Sequence, residues 1–262
     1  MRFEMIRFEI NIISQLSYLI SNTSKNQFMK TVIHKANERG QVNHGWLKAN
    51  HSFSFAGYYD PKKEQFGTLR VLNDDTVEAG FGFGMHPHNN MEIVTIPLKG
   101  ALKHKDSTGG EGVIKTGDVQ IMSAGSGIMH SEHATAEEDV NLFQIWVFPK
   151  KINIEPRYDQ RTFDESDREN KWQIVVSPED AHNALWINQD AYFSLGNFDT
   201  TTFYQINKEG NGVYLMVIEG EVEINGNVLS NRDAIGITEA KAVEIKVLQA
   251  AKLLAIEVPM TQ

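Results

Sequence analysis

From Thr31 onward the sequence is a succession of short apolar or alternating runs, each closed by a turn signal, with almost no helical periodicity. Side chains of an extended chain point to alternate faces, so runs of this kind fold as half-buried strands. Many of them at close spacing specify a barrel or a sandwich. Glu92 to Leu98 ends at Lys99-Gly100, and Ala101 to Asp106 leads into the turn Gly109-Gly110. Lys115-Thr116-Gly117-Asp118 introduces Val119 to Met122, and Leu142 to Phe148 is a further apolar strand containing Trp146. Upstream, Phe53-Ser54-Phe55 is expected as a strand, and Leu69-Arg70-Val71-Leu72 as another that stops at the turn Asn73-Asp74-Asp75.

The scheme recurs in the second half. Tyr214 to Ile218 followed by Glu219-Gly220 parallels Glu92 to Leu98 followed by Lys99-Gly100, an offset of about 120 residues. Such an offset is too long for a solenoid and suits a duplicated small domain. Glu221 to Ile224 leads into Asn225-Gly226, a favoured two-residue hairpin turn. The chain is therefore expected to be all-β, with one unit at 30–150 and a second at 151–262, joined through the polar stretch Pro149 to Phe163. Residues 1–29 carry an apolar pattern interrupted by Glu4, Glu9, Asn11 and Gln15, which fits neither a signal peptide nor a membrane span. They are expected to be a short loose helix or disordered extension, or the product of a mis-assigned start where Met29 is the natural one, and to lie outside the fold.

Charge narrows the function. Thirty-four acidic against 25 basic residues give a net charge of −9 among 262 residues, which argues against direct nucleic-acid binding and offers nothing to an anionic membrane. With no cysteine there is no disulfide, thiolate site or thiol nucleophile, as suits a cytoplasmic protein.

Eight of the nine histidines precede residue 134. His86-Pro87-His88 places two imidazoles on one face of an extended strand, because proline excludes a helix and the period is two. His130-Ser131-Glu132 repeats the geometry with a carboxylate as its second member. If the two strands are neighbours, His86, His88, His130 and Glu132 converge as a metal site. Three imidazoles and one carboxylate suit iron, nickel, copper, zinc, cobalt or manganese. Glu92, four residues beyond His88, would share that face on an unbroken strand, so spacing leaves open whether it ligates or accepts from a histidine N–H. His104 is expected to be exposed on the outgoing hairpin strand, His133 to face away, and His51 to pack near an aromatic strand. His34, His44 and His182 carry no partner pattern. Ser126 lies in Gly-Ser-Gly rather than a nucleophile elbow, and Gly80 to Gly84 leads into histidines rather than a helix, so neither motif competes.

Several stretches together resemble the pirin family of bicupins, and in particular its bacterial quercetin 2,3-dioxygenase-like members. They are Ala36-Asn-Glu-Arg-Gly40, His51-Ser-Phe-Ser-Phe55, Tyr58-Tyr-Asp-Pro61 and Leu69-Arg-Val-Leu-Asn-Asp74. Gly82-Phe-Gly-Met-His-Pro-His88, Gln120-Ile-Met-Ser-Ala-Gly125, His130-Ser-Glu132, Pro156-Arg-Tyr158 and Gln160-Arg161 continue the likeness. The resemblance implies two tandem cupin barrels of double-stranded β-helix (jelly-roll) type with few short helices, the metal lying in the first and none in the second. It assigns the ligands to His86, His88, His130 and Glu132, leaving Glu92 outside the set.

It further implies a dioxygenase that opens the central ring of flavonols such as quercetin with O₂ and releases carbon monoxide. Glu132, or else Glu92, is the expected proton acceptor, and one divalent transition metal, iron(II) first, the expected cofactor. The expected partners are a small aromatic substrate and O₂, with the chain a monomer. The competing readings are a metal- or redox-sensing regulator that binds a protein partner, and a cupin enzyme with another substrate.

Overall fold

A computed structural model describes residues 29–179 and 183–261. The regular structure of the described chain is strand, apart from two short 3-10 turns at Ala36–Glu38 and Glu165–Arg168, so the expected all-β architecture is the one adopted. The strands in chain order begin with β1 (Lys30–His34), β2 (Gly40–Asn43), β3 (Leu47–His51), β4 (Leu69–Val77) and β5 (Gly82–His88). Next come β6 (Glu92–Lys99), β7 (Ala101–Asp106), β8 (Glu111–Lys115), β9 (Asp118–Ser123), β10 (Ile128–Ala134), β11 (Val140–Val147) and β12 (Arg157–Thr162). The second half holds β13 (Gln173–Ser177), β14 (Leu185–Trp186), β15 (Tyr192–Phe198), β16 (Thr202–Gln205), β17 (Asn211–Ile224), β18 (Asn227–Ser230), β19 (Ala234–Thr238) and β20 (Ala242–Pro259).

The first barrel is a seven-stranded sheet, in the order β12-β9-β6-β11-β4-β3-β2, facing a four-stranded sheet, β5-β10-β7-β8. The second barrel is one nine-stranded sheet that bends through the long strands β17 and β20. Two strands cross between the halves. β1, at the head of the first half, pairs with β19, and β12, beyond Pro149, pairs with β9. The expected hairpin at Asn225-Gly226 forms with positive φ at both residues (49° and 75°), the twist that a two-residue turn between antiparallel strands requires.

The seven-stranded sheet uses its two faces differently. Val94, Ile96, Ile121, Phe143 and Ile145 are buried in one core with Val175, Phe193, Tyr214 and Leu254 of the second barrel. The other face lines the interior of the first barrel. There, Ile93, Met122 and Ile128 form an apolar layer at one end, and Leu47, Val77, Leu102, Ile114 and Leu142 form one at the other. Between them runs a polar rung. Cross-strand pairing places Gln160 opposite Gln120, Gln120 opposite Thr95, Thr95 opposite Gln144, Gln144 opposite Asn73, and Asn73 opposite His51. Residues opposite one another share a face, so one band of amides and hydroxyls crosses six strands at the waist of the barrel.

Two expectations upstream are corrected. Asn73-Asp74-Asp75 is not a turn: β4 runs on to Val77, and all three residues are buried. Turn-like composition is overridden by strand pairing on both sides and by the tertiary partners of Asp74. Asp74 meets Arg39 (3.4 Å), Arg232 of the second barrel (3.6 Å) and the Asn141 amide (2.9 Å), while β3 and β11 pair its backbone. Phe53-Ser54-Phe55 is not a strand; Phe55 bridges only Tyr58, and Phe53 plugs the core between the barrels.

Candidate metal centre

β5 and β10 are antiparallel neighbours in a register that sets His130 opposite His86 and Ile128 opposite His88. A bulge between His130 and Glu132 then pairs Glu132 with Phe83. On its other edge β10 meets β7, with Glu132 opposite His104 and His130 opposite Asp106. His130 and Glu132 are 1% and 3% exposed, as the inward-pointing members of β10 must be, whereas His86 and His88 are half-buried at the mouth.

The three imidazoles converge. Ring centroids are 4.3 Å apart for His86 and His130, 4.9 Å for His86 and His88, and 4.8 Å for His88 and His130. One donor atom from each lies within 4.8 Å of the others. Glu132 joins through His130: donor atoms of His104, His130 and Glu132 form a second group within the same limit. Three of the four expected residues, His86, His88 and His130, thus meet, and Glu132 adjoins His130 in a second group that includes His104.

Their hydrogen bonding leaves the donors open. The His86 Nδ1–H donates to the Gly84 carbonyl (2.8 Å), which fixes the tautomer with a lone pair on Nε2. Glu132 Oε2 accepts from the Gln144 amide (2.9 Å), and Gln144 Oε1 accepts in turn from Thr95 (3.0 Å). Both ring nitrogens of His130, and Glu132 Oε1, are buried without a hydrogen-bond partner. Buried polar atoms are seldom left so, and a cation is the one partner that lone pairs of imidazole and carboxylate can share. Burial, then the neighbouring imidazoles, pushes His130 down to about 3; burial and His86 push His88 down to about 4. Burial pushes Glu132 up to about 7, against the hydrogen bond from Gln144. Neutral imidazoles are the ligating form, so the residues fit a divalent transition metal.

Glu92 is elsewhere. Asn90 adopts φ +48°, which breaks the strand between His88 and Glu92 and ends the shared face. Glu92 is buried with Oε2 accepting from Ser123 Oγ (2.8 Å) and from the Asn188 N–H of the second half (3.1 Å). The expectation of an exposed His104 is corrected: it is 1% exposed, its Nε2 lies 3.0 Å from Asp106 Oδ2, and Tyr158 stacks on its ring at 4.5 Å. Burial alone would raise the Asp106 carboxyl, but hydrogen bonds from Thr108, His104 and Gly110 hold it below the ordinary value. His104 and Asp106 stand two residues apart on one strand face, the same signal that marked His86 and His88. His51 packs against Phe55 at 5.2 Å, as expected, and His133 lies half-buried; His182 falls outside the described residues.

Both ligand-bearing turns are tied to the stretch that joins the halves. Asn90 and Asn153 bond reciprocally, Asn153 N–H to Asn90 Oδ1 (2.7 Å) and Asn90 Nδ2 to Asn153 Oδ1 (3.2 Å). The Ser126 N–H donates to the Ile154 carbonyl (2.9 Å), and a Cβ on Gly125 would run into that same carbonyl. Beside His88, which packs edge-on to Trp146 at 4.9 Å, a cavity of about 490 Å³ is lined by Pro87, Asn89, Ser107, Ile128 and Met129.

Known proteins resemble this chain along both halves. The sequence model of the family described as Pirin matches residues 32–147, and that described as the quercetinase C-terminal cupin domain matches residues 174–258. The quercetin 2,3-dioxygenase of Escherichia coli K12 is 42% identical over 230 residues, covering 87% of this chain and 98% of that protein. A pirin-like protein of Caulobacter vibrioides is 42% identical over 222 residues, covering 83% of this chain and 95% of its own length. Among solved structures, the E. coli bacterial pirin YhhW in complex with nickel(II) superposes with a TM-score of 0.83 at 40% identity, covering 88% of this chain and 99% of that one.

Proposed function

This chain belongs to the pirin family, and from that membership we propose that it is a metal-dependent dioxygenase of the quercetin 2,3-dioxygenase type. The observation that carries the reading is the convergence of His86, His88 and His130, with Glu132 joined through His130 and buried lone pairs left open beside the mouth. His86, His88, His130 and Glu132 would hold one divalent ion, iron(II) by our reading, though the same donors accept nickel. Bound there, the ion would act as a Lewis acid on a substrate hydroxyl and give O₂ chemistry a redox-active centre.

The protein's own residues do the rest. A hollow of about 490 Å³ reaches the mouth at His88 and Ile128, with Pro87 and Met129 on the outward face of β5 and β10, and gives the flat rings of a flavonol an apolar approach to the site. Glu132, with its carboxyl near neutrality, is the group able to take the 3-hydroxyl proton, and Gln144 holds its other oxygen in place. Glu92 is engaged by Ser123 and Asn188 and takes no part. Loss of the proton enriches the central ring in electrons; addition of both atoms of O₂ opens that ring with release of carbon monoxide, leaving an ester. The apolar layer of Ile93, Met122 and Ile128 keeps water from the inner side of the site.

Purified protein reconstituted with iron(II), nickel(II) or cobalt(II) is expected to consume quercetin under air with stoichiometric carbon monoxide. His86→Ala should lower both turnover and metal affinity at least about 100-fold, since it removes a ligand. Undiminished turnover in that variant would refute the mechanism. A second reading, a regulator that docks a protein, draws on the exposed Phe81, Met85 and Met129 around the mouth. Metal binding without turnover for any of the three ions would favour it.

A further inference from the structure

We propose that His104, His130 and Glu132 form an inner position for a divalent cation, overlapping the outer set of His86, His88, His130 and Glu132 through the shared His130 and Glu132. The inference rests on the reading of the outer group as a metal site, but it concerns a donor that the family pattern leaves out. His104, His130 and Glu132 each place one donor atom within 4.8 Å of the others, and each is at least 97% buried. Asp106 lies 3.0 Å from His104 Nε2. Its other oxygen is already taken by the Thr108 N–H (2.8 Å), the Thr108 hydroxyl (2.7 Å) and the Gly110 N–H (3.0 Å), a set of donors that demands an ionised carboxylate. A carboxylate can only accept, so Nε2 carries the ring proton and Nδ1 keeps its lone pair.

That Nδ1 is buried and has no partner. Glu132 Oε1 and both nitrogens of His130 are in the same condition. Tyr158, stacked on the His104 ring at 4.5 Å, blocks the rotation that would turn Nδ1 away. His130 carries one ring proton, so its other nitrogen, with His104 Nδ1 and Glu132 Oε1, makes three acceptors held together in a dry place, and a shared cation relieves all three at once. The position keeps the His130 and Glu132 donors of the outer one, with His104 in place of His86 and His88. Because His130 serves both, one ion is held at a time. The inner position is a deeper seat reached through the outer, and Asp106 is the positioning residue that presents the His104 lone pair.

The test is a cobalt(II) titration of the full chain, followed by visible absorption and chelator competition. The proteins compared are wild type, H86A/H88A, H86A/H88A/H104Q and H86A/H88A/D106A, with near-UV circular dichroism confirming that each is folded. Wild type should bind one equivalent. H86A/H88A should still bind one equivalent, weakened about 100-fold, because the inner donors remain. H104Q added to that pair should cost at least a further factor of about ten, and D106A a smaller loss in the same direction, the range seen when a ligand or its supporting partner is removed. D106A keeps the His104 ring and carries the test should H104Q not fold. Cobalt binding by H86A/H88A that is absent, or insensitive to both additional substitutions, overturns the inner position while leaving the proposed activity standing. No binding by wild type would bring down the metal reading itself.

Discussion

His130 and Glu132 stand two residues apart on β10, and burial moves them in opposite directions, to about 3 and about 7, because in each case it disfavours the charged form. The interior that forces this also holds Asp75, whose carboxyl is pushed up to about 8 by burial, then by Asp74 and Glu132. Folded protein therefore keeps the Asp75 proton between pH 4 and 8, while unfolded chain gives it up above about 4. With more protons on the folded state, stability from this group is complete below pH 4 and declines as pH rises through 8. Asp75→Asn removes the ionising group. Metal-free Asp75→Asn is expected to gain about 1–3 kcal/mol at pH 8 relative to wild type and little at pH 4. Urea denaturation at the two pH values measures the difference; an equal effect at both would refute the assignment. At this scale the sequence was legible where a pattern of two marked a strand face, as in His86, His88, His130 and Glu132. It was not legible at Asp74 and Asp75, whose residue types signal a turn and whose neighbours Arg39, Arg232 and Glu132 lie far off in the sequence.

The strands themselves could be read from alternation and turn signals, and β7, β9 and β11 lie within two residues of where the pattern puts them. The aim of their side chains could not. The bulge in β5 opposite Ser131, and the positive φ of Asn90, decide that His86 faces the site and Glu92 does not. Both are backbone events set by contacts outside the strand. The contact at Asn90 comes from Asn153, which sits at φ +56° and holds the turn after His88, while neighbouring Ile154 holds the turn before β10. Asn153→Ala loses both side-chain hydrogen-bonding capacity and a residue type at ease in left-handed backbone. It is expected to cost about 1–2 kcal/mol of stability and to weaken metal binding about three- to tenfold without touching a ligand. Chelator competition against wild type provides the measurement, and unchanged affinity would show that the turns hold their places unaided.

At the scale of the whole molecule, the internal repeat at an offset of about 120 residues gave the two barrels, but pairing shows each half completed by the other. β1 closes the second barrel and β12 the first, and Arg232 reaches across to Asp74 and lies over the Phe143 ring at 5.3 Å. The division we propose near residue 150 is therefore a division of the repeat. A cut there leaves the first half without an edge strand of its seven-stranded sheet and exposes Val94, Ile121, Phe143 and Ile145 to water. Strand exchange of this kind makes folding of the two units one event, because neither can bury its shared face alone. The full chain is expected to unfold in a single transition with calorimetric and van't Hoff enthalpies in agreement, and a fragment ending at residue 150 to show no cooperative transition. Two resolved transitions in the full chain would mean that the barrels are independent. In that case the tether of the metal-bearing turns to Asn153 and Ile154 would couple the site to the linker but not to the second barrel.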